Sequence, residues 1–365
     1  MHPMLKKLAD CGQSIWYDNI RRGMLASGEM QALIDDGVVG VTSNPSIFEK
    51  AIAHSNDYDE QIRALIDAGH GTAEIFDSLA LADIGAAADL FRPVYDRTDG
   101  HDGYVSIEVN PHLAHDTDAT IAEARRLFRT LDRPNIMVKI PGTPEGIPAI
   151  ATAIGEGINV NVTLIFSVDA YRDIMQAYLT GLQRLGDAGG KLNKVASVAS
   201  FFVSRVDTVV DKQLAQSGAA KDLLGKAAIA NSKLAYQAYL EVFDGPAFGA
   251  LRQRGARVQR PLWASTSTKN PDYPKTLYVD TLIGPDTVNT VPPVTLDAIR
   301  EGITVKPTLT ADVDAARKEL ERLKAAGISL EQVTEDLRTA GVKAFADSYD
   351  QLLASLESKR LAMAN

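Results

Sequence analysis

Short runs of β-branched and apolar residues recur along the chain, separated by longer stretches with helical spacing. The runs fall at 14–18, 38–44, 104–110, 135–141, 158–165, 194–202, 261–267 and 288–292. Among the intervening stretches, Ser167 precedes Val168, Tyr171, Ile174, Met175, Tyr178 and Leu182, a 3.6-residue stripe behind an N-cap. Thr117 opens a stretch with Ile121, Ala124, Leu127 and Phe128 on one face, and Thr143-Pro144-Glu145 offers a cap with proline at the first helical position. Segment 275–283 is rich enough in β-branched residues for a strand, but the alternation needs a helix there, and a short helix is expected. Strands alternating with helices predict βα units on a parallel sheet, and about eight units predict an α/β fold closed as a (β/α)8 TIM barrel with extra N- and C-terminal helices.

Positions 311–361 read as helical throughout. Thr310 is the expected cap of one helix, Gly327 its end, and Ser329 with Gln332 a capping box for the next. These helices are expected to pack outside the barrel, so that residues 1–365 form one domain.

Alternate residues of a strand share a face. Val105, Ile107 and Val109 oppose Ser106, Glu108 and Asn110; Val160, Val162 and Leu164 oppose Asn159, Asn161 and Thr163. Val39 and Val41 oppose Gly40, Thr42 and Asn44; Ile15 and Tyr17 oppose Trp16 and Asp18; Ile136, Val138 and Ile140 oppose Met137, Lys139 and Pro141. The apolar faces suit burial under helices, which sends the polar faces into the barrel. A half-solvated antiparallel sheet also alternates, but the intervening helices would cover it.

Lys139 is the most informative single position. It lies near the end of the apolar run 135–141, which Pro141-Gly142 closes. A lysine so enclosed is either paired or gives up its proton, and a neutral lysine is an amine nucleophile able to form a Schiff base. The plainer alternative is a strand-tip lysine that snorkels to water. Asp18, Glu108 and Lys139 directed into one barrel favour an active site, since buried charges need partners and such barrels place their sites at the C-terminal strand ends.

Composition bounds the picture without changing it. The 365 residues are 45% hydrophobic and 23% charged, as in a globular protein with a full core. A net charge of -9 argues against nucleic acid or an anionic membrane as partner and leaves small phosphorylated substrates open. One cysteine, Cys11, excludes an intrachain disulfide, and no signal-peptide or membrane-spanning pattern is evident, so a cytoplasmic location is expected. The histidines His112 and His115 with Asp116 suggest a metal cluster only weakly, because no histidine follows them. Gly186-Asp187-Ala188-Gly189-Gly190-Lys191 is out of register for a phosphate loop. Tyr236, Tyr239 and Phe243 at helical spacing are expected in the core.

Five phrases, in order and each at a strand end, resemble the transaldolases, a Schiff-base (class I) aldolase-type family: GVTSNPSIFEKAI (40–52), VSIEVNP (105–111), MVKIPGTPEGIPAI (137–150), GINVNVTLIFS (157–167) and SVASFFVSRVD (197–207). The resemblance covers nearly the whole chain. It implies a transferase that moves a dihydroxyacetone unit between sugar phosphates, from sedoheptulose 7-phosphate to glyceraldehyde 3-phosphate, in the non-oxidative pentose phosphate pathway. It implies no cofactor and no metal, and leaves monomer and homodimer open.

The family's Schiff-base lysine corresponds to Lys139. Asp18 matches its general acid/base, Glu108 the glutamate that activates water for carbinolamine formation and dehydration, and Thr163 the threonine that orders that water. Asn44 and Asn161 offer hydrogen bonds to the dihydroxyacetone hydroxyls, although Asn44-Pro45 is also an ordinary turn initiator. Ser200, Arg205 and Ser265 match the phosphate-binding positions. Where many members have a second arginine, this chain reads Ala264-Ser265-Thr266-Ser267-Thr268-Lys269-Asn270, and Lys269 is the candidate replacement. Phe202 matches a family phenylalanine where the related fructose 6-phosphate aldolases carry tyrosine. With Glu108 it favours transfer over an aldolase that releases free dihydroxyacetone. An inert sugar-phosphate-binding barrel is the remaining reading.

Overall fold

A computed structural model describes residues 1–364 apart from His54 and Ala219. Among these residues seven parallel strands make one sheet: β1 (Gln13–Tyr17), β2 (Val105–Glu108), β3 (Ile136–Pro141), β4 (Val160–Ile165), β5 (Ser197–Phe202), β6 (Gln259–Ala264) and β7 (Thr287–Val291), in the order β1-β7-β6-β5-β4-β3-β2. The predicted strand at 38–44 is not regular; it contributes only a bridge at Val41 to Tyr17 and Val105. Its backbone nevertheless fills the gap. Val39 N–H donates to Ile15 O (3.0 Å), Thr42 N–H to Tyr17 O (2.9 Å), and on the other side Val41 N–H to Tyr104 O (2.9 Å), while Ser106 N–H donates to Val41 O (3.0 Å). The α/β barrel thus closes through an irregular eighth position. Trp16 is one local cause: a Cβ on Gly40 would lie 2.6 Å from its ring, so the chain must carry glycine and bend around the indole.

Helices follow the strands as the spacing predicts. Thr117–Leu131 follows β2, Gly146–Gly155 follows β3, Val168–Asp187 follows β4 and Ser204–Ser217 follows β5. Ser167 caps its helix, its Oγ accepting from Ala170 N (3.2 Å). Thr143 Oγ1 accepts from Gly146 N (2.9 Å), although regular helix starts only at Gly146. The ambiguous segment holds the short helix Leu277–Thr281. Tyr236, Tyr239 and Phe243 are buried, the two tyrosine rings stacked at 5.4 Å.

Four local expectations change. The alternation in β4 holds to Thr163 and breaks at Leu164, which is left-handed (φ 59) in a bulge between Val162 and Ile165. The strand expected over 261–267 stops at Ala264, because Ser265 is also left-handed (φ 56) and turns the chain over the barrel mouth. The helix Val313–Ala325 is preceded by Asp312 and not capped by Thr310. Ser329 Oγ accepts from Gln332 N (3.2 Å), but the Gln332 side chain reaches forward to Asp336 rather than back.

The final helix, Leu330–Ala364, crosses the C-terminal mouth of the barrel and packs on the helix Pro45–Ala53. Ser348 pairs with Ser46, Asp350 with His112, and Glu357 with Thr72. That crossing brings Phe345 over the strand ends.

Candidate active site

The strand register sets Lys139 directly between Glu108 on β2 and Asn161 on β4. Its ammonium is 3.4 Å from Glu108 Oε2 and 3.2 Å from Ser43 O, with the Phe345 ring 5.3 Å away. Both side chains are almost fully enclosed, at 6% and 4% exposure. Burial pushes the Glu108 carboxyl up to about 7, with Lys139 pulling the other way. Glu108 Oε1 is buried without a protein partner.

Asp18 follows β1, its N–H donating to Val291 O (2.9 Å). Its Oδ1 accepts from Thr42 Oγ1 (2.7 Å), which also bonds Thr290 Oγ1 (2.6 Å). Burial raises this carboxyl above the ordinary range, opposed first by the charge of Lys139 and then by the Thr42 hydrogen bond. The two acids thus approach the lysine from different strands, and both are held more basic than a free carboxyl.

A cavity of about 180 Å³ opens above Lys139. Asp18, Asn44, Thr163, Ser200, Phe202, Arg205, Ser265 and Lys269 all line it. Thr163 Oγ1 is buried and unpartnered, as a hydroxyl awaiting a ligand is. Arg205 makes no ion pair among the described residues; its guanidinium lies 5.2 Å over the Phe202 ring, and burial lowers its pKa. Lys269 donates to Ser267 Oγ (2.8 Å), and burial followed by the charge of Arg205 lowers its pKa. Two neighbouring cations without a carboxylate partner among the described residues, beside serine hydroxyls, offer the donors that an anion needs.

Three placements differ in kind from the rest. Asn161 does not line the cavity. It lies beneath, donating to Ser106 Oγ (3.0 Å) and accepting from Ser200 Oγ (2.7 Å), which makes it a support for Ser200. Asn44 Oδ1 accepts from Ile47 N (3.1 Å) and caps the helix Pro45–Ala53, so its amide NH₂ is what remains for a ligand. Glu108 touches the amine but lines a separate cavity. Thr42 stood on the predicted interior face, whereas Thr290 and Phe345 were missed. No strand pattern could reveal Phe345, because it arrives on the last helix. The two histidines point to different carboxylates, His112 to Asp350 (2.7 Å) and His115 to Glu145 (3.0 Å).

An enclosed lysine with two acids and two cations gathered at the C-terminal end of an α/β barrel fits an enzyme active site, which such barrels hold at that face. A family model described as transaldolase/fructose-6-phosphate aldolase matches residues 15–356. The chain is 51% identical over 353 residues to a transaldolase of Thermobifida fusca, with 96% of each chain covered. It is 48% identical to a transaldolase of Mycobacterium marinum, covering 100% of this chain and 99% of the relative, and 49% identical to transaldolase 2 of Streptomyces coelicolor, covering 99% of each. The chain belongs to the transaldolase/fructose-6-phosphate aldolase family and is an enzyme. Among the described residues, no helix is long and apolar enough to cross a membrane.

Proposed function

We propose that this enzyme is a transaldolase that carries a dihydroxyacetone unit on Lys139 from a ketose phosphate such as sedoheptulose 7-phosphate to an aldose phosphate such as glyceraldehyde 3-phosphate, giving erythrose 4-phosphate and fructose 6-phosphate in the pentose phosphate pathway. The observation that carries this reading is one cavity lined by Lys139 and Asp18 together with Arg205 and Lys269, neither cation in an ion pair among the described residues. A substrate phosphate seated on the two cations extends its carbon chain toward the amine.

Glu108, the closest carboxylate to the amine, takes the proton as Nζ attacks the ketose carbonyl. It then protonates the carbinolamine hydroxyl, which leaves as water. The resulting iminium accepts the electron pair of the breaking C–C bond, so no free carbanion forms. Asp18, held basic by burial, takes the proton of the departing hydroxyl and returns it to the acceptor. Thr163 holds the water, Asn44 binds the donor hydroxyls, and Ser200 and Ser265 join the two cations at the phosphate. Phe202 packs against Phe166 at 5.1 Å and presents no hydroxyl to the cavity, which favours keeping the three-carbon unit for transfer over protonating it for release. The reading supplies all chemistry from side chains, acts on free sugar phosphates and fits a cytoplasmic enzyme.

The test is reduction with borohydride in the presence of fructose 6-phosphate. Stable addition to Lys139 is expected, with free dihydroxyacetone appearing only slowly when no acceptor aldose is present. Labelling at another residue, or none in an active sample, rejects the assignment. Free dihydroxyacetone produced as fast as transfer makes the enzyme an aldolase.

A further inference from the structure

The two cations of the substrate cavity reach it from different elements. Arg205 stands in the first turn of the helix Ser204–Ser217, whereas Lys269 lies on the loop between β6 and the short helix Leu277–Thr281. The near end of that loop is fixed. Ser204 N–H donates to Ser265 O (3.1 Å), and Thr266 Oγ1 donates to Asn289 Oδ1 (2.8 Å). Beyond it, among the described residues, the hydrogen bonds of 267–272 stay within the segment or run to Tyr273. Lys269 Nζ donates to Ser267 Oγ (2.8 Å), Asp272 N–H to Asn270 Oδ1 (3.0 Å) and Tyr273 N–H to Asn270 O (3.1 Å).

The far end is tied through a phenol. Tyr273 OH donates to Asp211 Oδ2 (2.7 Å), and Asp211 Oδ1 accepts from Gly225 N (3.0 Å). Asp211 belongs to the Arg205 helix, about 9 Å along the axis from Arg205. One turn earlier the same arrangement recurs in the core, where Asp207 accepts from Tyr278 OH (2.8 Å) and from Ala228 N (2.7 Å). Asp207 and Tyr278 are buried, and their bond joins the helix to the fold. Asp211 and Tyr273 are half-buried, with the Tyr273 ring against the Gly225 backbone, where a Cβ would come within 2.9 Å of it. The outer pair can therefore be altered without opening the core.

Like charges repel, and a loop fastened at one end only would let Lys269 swing away from Arg205 into water. We propose that Tyr273 is a positioning residue of the phosphate site: its bond to Asp211 fastens the Lys269 loop to the helix that bears Arg205, so that both cations meet one substrate phosphate. The inference rests on the reading of that cavity given above. Neither Tyr273 nor Asp211 lines the cavity, so the bond reaches the ligand only through the loop. Its contribution is preorganisation: the loop is ordered before the phosphate arrives, and binding is spared that cost.

The experiment removes the phenol oxygen alone, with Tyr273→Phe, and follows transfer from fructose 6-phosphate to erythrose 4-phosphate. KM for fructose 6-phosphate and the inhibition constant of inorganic phosphate are expected to rise together by about fivefold, the scale of one lost hydrogen bond. The melting temperature should stay near its native value, and kcat within about twofold of native, as for a contact held equally in ground and transition states. A double-mutant cycle separates positioning from general loosening: in the Lys269→Ala background, Tyr273→Phe should bring no further rise. Unchanged constants in the single variant overturn the role, and so does an equal rise with and without Lys269, which would place the effect elsewhere. Both failures leave phosphate inhibition of the native enzyme intact. Native enzyme that inorganic phosphate fails to inhibit instead overturns the phosphate site itself, and the positioning role with it.

Discussion

Two buried ion pairs lie at opposite ends of the same barrel and are enclosed to the same degree. At the N-terminal end Arg260 meets Asp102 at 3.1 Å with side chains 6% and 8% exposed; at the C-terminal end Lys139 meets Glu108 at 3.4 Å with 6% and 4%. Burial therefore does not separate them. Their partners do. Arg260 also donates to His101 O (3.0 Å), Ser14 Oγ (2.5 Å) and Thr287 O (2.9 Å), and Asp102 also accepts from Ser14 Oγ (2.7 Å) and Trp16 Nε1 (2.9 Å). Lys139 has one further bond, to Ser43 O, and Glu108 keeps Oε1 unpartnered. The lower pair is a hydrogen-bonded plug tying β1, β6 and β7 together. The upper pair has fewer ties, as the role proposed for Lys139 and Glu108 requires. Arg260 Nε is unpartnered as well, so the difference lies in how firmly each pair is tied to the fold, by five further hydrogen bonds below against one above.

The largest expected break in the comparison is Lys139→Ala. Turnover should fall at least about 10⁴-fold, the scale on which loss of a covalent nucleophile is felt. The melting temperature should hold, because the Glu108 carboxyl left behind already titrates near 7 and can take up a proton. Activity and calorimetry on one preparation check both halves; a variant retaining native turnover rejects Lys139 as the nucleophile.

Glu108→Gln should lower kcat by about 10²–10⁴ and reshape the pH profile. In the native enzyme kcat/KM should rise with pH through about 7, because below that the pair holds an extra proton and the amine lacks a base. Stability carries the opposite sign. A carboxyl raised from 4.5 to about 7 binds more protons folded than unfolded between those values, so its contribution is full below pH 4.5 and is lost as pH rises through 7. The glutamine variant should lose the acid limb of the rate profile and flatten denaturation against pH across the same window.

Arg260→Met sharpens the contrast from below. It leaves Asp102 buried without its cation and should cost about 3–5 kcal/mol in urea denaturation, while the folded fraction keeps the native kcat. A loss of kcat at full stability would mean that the lower plug takes part in the chemistry. The smallest effect is expected from Lys269→Ala. KM for the sugar phosphate should rise about tenfold with kcat little changed, as for removal of a contact made equally in ground and transition states. An unchanged KM leaves Arg205 as the sole anchor.

Much of the upper pair was legible in the chain. Period-two alternation placed Lys139, Glu108 and Asp18 on inward faces, and the ordered strand-end phrases tied them to one family. The lower pair was not legible. Asp102 precedes its strand and carries no periodic signal, and Arg260 fell outside the expected 261–267 run. Only the ring of strands brings these residues together, 158 positions apart. Asn44 and Asn161 lay on the expected interior face, but whether each bonds a ligand or a neighbour depends on layers stacked from other strands.

By itself, the sequence determined which side of each strand is polar, where helices begin, and that a lysine and two acids converge at one barrel end. Those properties depend on residues two to four positions apart, a range the chain displays directly. The tertiary structure alone decided that 38–44 closes the barrel through two isolated bridges at Val41, that Phe345 covers the amine, and that the second oxygen of Glu108 is buried without a protein partner. Each of these depends on surfaces made by distant segments, and a side chain's periodicity says which way it points but not what it will meet there.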